Sequence, residues 1–316
     1  MKVDLQLVGQ RLYEAPGILD QICRDYRFEA IPESPDELVT ALWAKFGQTP
    51  ANDPLQEQPD NQVVFRAVVR SLGSNSRSWS TYLRGEPELT HVLFEFDPVT
   101  VAGAHAEGRL SLENISRWLP GTSSSGDARA ILQWAARLSG KTEFHEELQA
   151  VGAASLAAAK RHIPGGLQSG EMFLCVVGFL GYPPTPHRWP GYSYLPTYLK
   201  DRSASEWKLS GMGYALTSEM LRNLRWDGYK VDRHIMRLLD RWVPDVVDAC
   251  QGRAAELASL VGTRNQNLLE MLSFSLAGMA IAPDNVPRSH VDNLIWALGA
   301  YVEKKGRESE LEYVKR

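Results

Sequence analysis

Cysteine is scarce: the 316 residues contain only Cys23, Cys175 and Cys250, far apart along the chain. Three thiols fall short of the four cysteine ligands that an iron–sulfur cluster requires, and no Cys/His pair has the short spacing of a zinc site. Their apolar or helical settings suggest reduced, buried thiols. Long apolar runs are absent too. No stretch of 18 apolar residues occurs, and the start Met1-Lys2-Val3-Asp4 lacks a signal peptide's apolar segment, so a cytoplasmic location is expected. Excess positive charge is also missing: 34 Lys and Arg against 38 Asp and Glu leave a net charge of −4. A global basic field of the kind that draws in nucleic acid is therefore excluded, and an anionic partner would have to meet a local feature.

Helix signals dominate what is present. Ser34-Pro35-Asp36-Glu37 opens a helix through Leu38, Leu42 and Trp43, and residues 61–72 carry Val63, Val64, Ala67 and Val68 on one face. A polar, proline-containing linker, 48–60, separates the two. Further helices are predicted over 111–119, 127–138, 144–162, 171–180, 264–282 and 290–303, with a Ser/Gly loop at 122–126 and a charged tail at 307–316. The string HVLFEF at 91–96 fits a short strand or a buried helical turn equally well. Residues 181–199 hold five prolines, four tyrosines and a tryptophan, too many breakers for a helix. They read as a long aromatic loop that either wraps the core or lines a pocket. The sum is an all-α fold.

Residues 203–242 carry the densest pattern. Ser203 and Glu206 form a capping box that starts a short helix. Leu209-Ser210-Gly211-Met212-Gly213 follows, a turn whose glycines tolerate positive φ and allow outward-facing N–H groups, suited to gripping a phosphate. Leu216, Met220, Leu221 and Leu224 then mark a second helix, ending near 226–228. Asp232 stands at the N-cap of a third, ahead of Ile235, Leu238, Leu239 and Trp242, with Val231 and Met236 at staple positions. An Asp there is also a plain cap, worth about 1 kcal/mol. Between 202 and 241, eight Lys or Arg face five Asp or Glu. Arg222, Arg225, Lys230, Arg233 and Arg237 either form a local positive face or pair off in surface salt bridges.

Helix, Gly-x-Gly turn, helix, and then Val231-Asp232-Arg233-His234 opening the next helix: this order resembles the helix-hairpin-helix (HhH-GPD) DNA glycosylase superfamily. The resemblance implies that Asp232 is the essential carboxylate. It implies that the turn at Gly211 and Gly213 binds backbone phosphate, with a monovalent cation at the hairpin, and that His234 lies near a phosphate beside a flipped nucleotide. Ser71-Leu72-Gly73-Ser74-Asn75-Ser76 is similar to the segment that fills the gap left by an extruded base, so Asn75 and Ser76 join the expected DNA contacts. Lys208 is added as a phosphate-neutralising cation.

The chain also departs from the family. Ala215 stands where bifunctional members carry a Schiff-base lysine, so the resemblance implies hydrolysis without lyase activity. Ser210 replaces the usual proline, and the interval from Asn75 to Asp232 is longer than in compact members. That insertion leaves alkylated purines and the hypermodified bases of phage DNA both open as substrates. The reading is a monofunctional glycosylase acting on double-stranded DNA with a flipped base. It has two lobes, 1–79 with 223–316 and 80–222, and a cleft between them. The alternatives are a non-catalytic helix-hairpin-helix DNA-binding protein and an α-helical protein-interaction module, the latter suggested by the acidic net charge and the aromatic loop.

Overall fold

Apolar side chains recurring every three to four residues need a common interior, and the chain supplies it with helices alone. The computed structural model describes residues 1–140, 143–263, 265–306 and 312–315. The first helices are α1 (Leu5–Glu14), α2 (Ile18–Tyr26), α3 (Pro35–Phe46), α4 (Asn61–Gly73), α5 (Trp79–Val92) and α6 (Pro98–Ala106). They are followed by α7 (Leu112–Ser116), α8 (Ser124–Leu138), α9 (Phe144–His162), α10 (Glu171–Gly181), α11 (Thr197–Lys200) and α12 (Ala204–Trp207). The series closes with α13 (Tyr214–Asn223), α14 (Arg233–Trp242), α15 (Pro244–Val261), α16 (Gln266–Ile281) and α17 (Arg288–Ala297). The fold is all-α. Among the described residues the only sheet is an antiparallel pair, β1 (Lys2–Val3) and β2 (Val314–Lys315), in register Lys2 to Lys315 and Val3 to Val314.

Caps fix most helix starts. Ser34 accepts the Glu37 amide ahead of α3, Asp60 the Val63 amide ahead of α4, and Ser203 with Glu206 forms the complete box ahead of α12. α4 then packs between α8 and α13, while α14 meets α15, α16 and α17. Val64, Phe65, Val68 and Leu72 of α4 are fully buried, each such side chain contributing about 1.5–3 kcal/mol.

Several boundaries differ from the sequence expectation. The supposed Ser/Gly loop at 122–126 is largely helix, because α8 begins at Ser124. The Ser124 hydroxyl donates to the Gly121 carbonyl (2.5 Å) and the Ser123 hydroxyl to Asp127 Oδ2 (2.7 Å), which ties both serines down at the helix entrance without capping it. HVLFEF is no strand: α5 runs to Val92, and Phe94, Glu95 and Phe96 form one turn with φ of 50°, 54° and 61°. Residues 181–199 are irregular, with 3-10 turns at Pro186–Arg188 and Pro190–Tyr194, and pack Trp189 against Phe179 at 4.3 Å. α13 stops at Asn223, short of 226–228. α17 begins at Arg288 and widens into a π-helical turn at Leu298–Val302. Arg264, expected to open α16, lies outside the described residues, as do 307–311 and 316 of the expected charged tail. Val314 and Lys315 of that tail form β2 instead of trailing free.

Candidate functional site

Asp232 starts α14 with extended backbone (φ −129°, ψ −177°), and its Oδ1 accepts the amide N–H groups of His234 (2.8 Å) and Ile235 (3.2 Å). Hydrogen bonds to a carboxylate are stronger than neutral ones, so the side chain is held in one orientation. Its Oδ2 carries no hydrogen bond among the described residues. Half-buried, Asp232 lines a cleft of about 370 Å³. Phe46, Leu216, Met271 and Trp296 give that cleft apolar walls beside its charged lining residues, and the lower polarity there strengthens a charge interaction inside.

The loop after α4 lines the same cleft through Ser74, Asn75, Ser76 and Arg77. It is held from a distance. Arg77 Nη2 lies 2.6 Å from Asp127 Oδ2, with both side chains under 5% exposed, and Arg77 Nη1 donates to the carbonyls of Leu72 (2.8 Å) and Gly73 (2.9 Å). The Asn75 amide donates to Asp127 Oδ1 (2.9 Å), and the Ser123 hydroxyl oxygen lies 3.1 Å from the Asn75 carbonyl. Ser76, exposed, adopts φ 55°. Asn75 is therefore committed to Asp127, and Ser76 is the more accessible of the two.

Beneath Asp232 lies a buried polar floor. The Glu219 carboxylate meets Lys230 Nζ (3.0 Å), Arg222 Nη1 (3.3 Å) and Gln48 Nε2 (2.8 Å). Burial pushes the Glu219 carboxyl upward, but Lys230 and Arg222 outweigh that and hold it at about 2. Arg222, 1% exposed, donates to Gln48 Oε1 (2.5 Å) and Asn293 Oδ1 (2.6 Å) and stands 2.7 Å from Asp292 Oδ1. The Lys230 amide donates to Asp292 Oδ2 (2.6 Å). Burial pushes the Asp292 carboxyl to about 8 against the pull of Arg222 and Lys230.

This floor corrects the idea of a positive face: Arg222 and Lys230 turn inward to the two acids, and Arg237 donates to the carbonyls of Gly299 (3.1 Å) and Glu303. Arg225 and Arg233 are exposed. Sequence reading missed Glu219 and Asp292. The available signal was a charged residue inside the stripes Thr217–Leu221 and Val291–Ile295, where helical periodicity demands burial.

His234 also borders the cleft, its Nδ1 3.2 Å from the Gly299 carbonyl and its ring edge-on to Trp296. Burial lowers its pKa below the ordinary value, partly offset by Asp232. Ala215 forms part of the wall.

Gly211, Gly213 and Lys208 lie apart from these residues, at the start of α13. Gly211 has φ 71°, and a Cβ there would stand 2.7 Å from Ala130 Cβ and 3.1 Å from Leu72 Cδ2. Gly213 differs from expectation: its φ is −102°, open to any residue, and a Cβ would meet nothing within 4 Å. It caps α13 without a side-chain acceptor, leaving the first amides of that helix for a ligand or water. Lys208 does not reach outward, since its Nζ donates to the carbonyls of Gly181 (2.5 Å) and Met212 (2.7 Å). Two further turn carbonyls are engaged as well, Leu209 by the Met212 amide (3.2 Å) and Ser210 by Trp134 Nε1 (3.0 Å). Lys208 thus places its own ammonium on two of the carbonyls on which a cation at this turn would draw.

Cys175 is buried, whereas Cys23 and Cys250 are only half-buried, and all three are free thiols. Among the described residues no group of three or more His, Cys, Asp or Glu is arranged to hold a metal, and no helix is long and apolar enough to cross a membrane. No family model, curated protein or solved structure matches this chain.

Proposed function

We propose that the chain is a monofunctional DNA N-glycosylase that hydrolyses the bond between C1′ and a damaged or modified base. The observation that carries this reading is the Asp232 carboxylate. It is oriented by two amides and faces an apolar-walled cleft that the 74–77 loop borders as well. We read α12, the 209–213 turn and α13 as the helix-hairpin-helix. The cleft then lies between the segments 1–79 with 223–316 and the segment 80–222, both of which contribute lining residues.

In this mechanism the target base leaves the stack, at a cost of a few kcal/mol that is least for damaged or mispaired bases. As the bond from C1′ to the base nitrogen breaks, its electron pair departs with the base and positive charge grows on the sugar. The fixed carboxylate of Asp232 stabilises that charge. Water then adds to C1′, its proton passing to Asp232, and an abasic site remains. No protein amine attacks the sugar, consistent with the methyl group of Ala215 on the wall. The free amides at the start of α13 take backbone phosphate, and the open surface at Gly213 admits its close approach. His234, its Nδ1 engaged by the Gly299 carbonyl, lies near a phosphate beside the flipped nucleotide in this reading.

Abasic-site formation tests this on duplexes carrying alkylated, oxidised, deaminated or phage-type modified bases. Release from at least one substrate by the wild type and none by Asp232→Asn is expected. Release that survives in Asp232→Asn would overturn the catalytic assignment. Specific binding without any release would favour the non-catalytic DNA-binding alternative.

A further inference from the structure

The Lys208 ammonium stands where two chain segments end. Gly181 is the last residue of α10, and its carbonyl is one that the helix leaves unsatisfied, at the negative end of the helix dipole. Met212 belongs to the turn that opens α13. Lys208 joins them at 2.5 and 2.7 Å and lies 5.8 Å from the Tyr182 ring centroid. Two carbonyl oxygens and an aromatic face make a cation site, and the cation is covalently part of the chain. Burial lowers the lysine pKa, yet the amine has only acceptors around it, so the charged form satisfies them.

We propose that Lys208 is a built-in cation for the 209–213 turn. It holds the α13 entrance against α10 and makes that entrance independent of any exchangeable monovalent ion. Lys208 is then a positioning residue, and its side chain makes no phosphate contact. The assignment needs no knowledge of the ligand and can be tested on the isolated protein.

The experiment is thermal unfolding at constant ionic strength in potassium, sodium or tetramethylammonium chloride, for the wild type, Lys208→Ala and Lys208→Met. The wild type should melt at one temperature in all three salts. Lys208→Ala should melt about 2–5 °C lower, the shift expected for losing charged hydrogen bonds. It should regain part of that with added ethylammonium, which can donate to both carbonyls, and none with tetramethylammonium, which cannot. Lys208→Met keeps the apolar stem and fills the space, so it should stay low in every salt. Three results would each overturn the proposal: a wild-type melting temperature that depends on potassium, a Lys208→Ala protein as stable as the wild type, or a Lys208→Ala loss that no small cation repairs. The last would assign the effect to packing of the stem. If Lys208→Ala does not fold, the Lys208→Met protein decides: wild-type stability there overturns the idea, and a lowered melting temperature with its stem intact supports it.

Discussion

The two walls of the cleft are built by opposite means. The α14 wall is local: Asp232 is oriented by amides two and three residues ahead of it. The 74–77 wall is imposed from far along the chain, by Asp127 on α8 gripping Arg77 and Asn75. Short-range capping orients a group at little entropic cost, whereas the distant clip ties the loop to correct packing of α4 on α8. Damage to the first wall should therefore appear in chemistry, and damage to the second in stability.

The largest contrast should come from Asp232→Asn. Asparagine caps as well as aspartate, so unfolding should barely move while abasic-site formation falls by about 10²–10⁴-fold or more. Asp127→Ala should do the reverse. It leaves the Arg77 guanidinium buried without its acid, which costs about 3–5 kcal/mol, readable as a lower urea midpoint, and it frees Asn75. A smaller pair of effects separates the turn glycines. Gly211→Ala forces a Cβ into Ala130 at positive φ, a loss of about 1–3 kcal/mol. Gly213→Ala should cost less, about 1 kcal/mol, for replacing a glycine N-cap by alanine, and should weaken DNA binding, as fluorescence anisotropy would show. Equal DNA affinity in Gly213→Ala and wild type would remove the turn from the binding surface.

Further effects are in pH. Glu219 is held at about 2 against an ordinary 4.5, so its contribution is complete above pH 4.5 and is lost as pH falls toward 2. Asp292 has the opposite sign. Raised from 3.8 to about 8, it costs stability progressively as pH climbs between those values. Urea unfolding of Asp292→Asn between pH 4 and 8 should accordingly be flatter than that of the wild type.

What was legible in the sequence follows the same division. Asp232 as a cap, the Ser203 box and the helix over 144–162 were readable because their partners lie within four residues. The loop predicted at 122–126 was misread because its serines were taken as a turn signal, whereas they bond locally to Gly121 and Asp127 and Ser123 also meets Arg77, 46 residues away. The polar floor was unreadable because its partners lie far apart in the chain. Nothing near Glu219 in sequence announces Gln48, and nothing near Arg222 announces Asn293. Gly213 shows a third case: it was singled out for tolerance of positive φ, but its backbone, at φ −102°, does not need glycine.

Arg222 carries a consequence for the order of folding. Its two terminal guanidinium nitrogens are held by groups from three separate stretches, Gln48, Glu219, and the pair Asp292 and Asn293. Removing that charge from water before all of them arrive would cost several kcal/mol. The segments are therefore expected to come together in one cooperative step, with no half-built cleft among the folding intermediates. Hydrogen exchange at the Lys230 amide, which bonds to Asp292, should then report the same opening free energy as global unfolding. Faster exchange there would show that the site opens by itself.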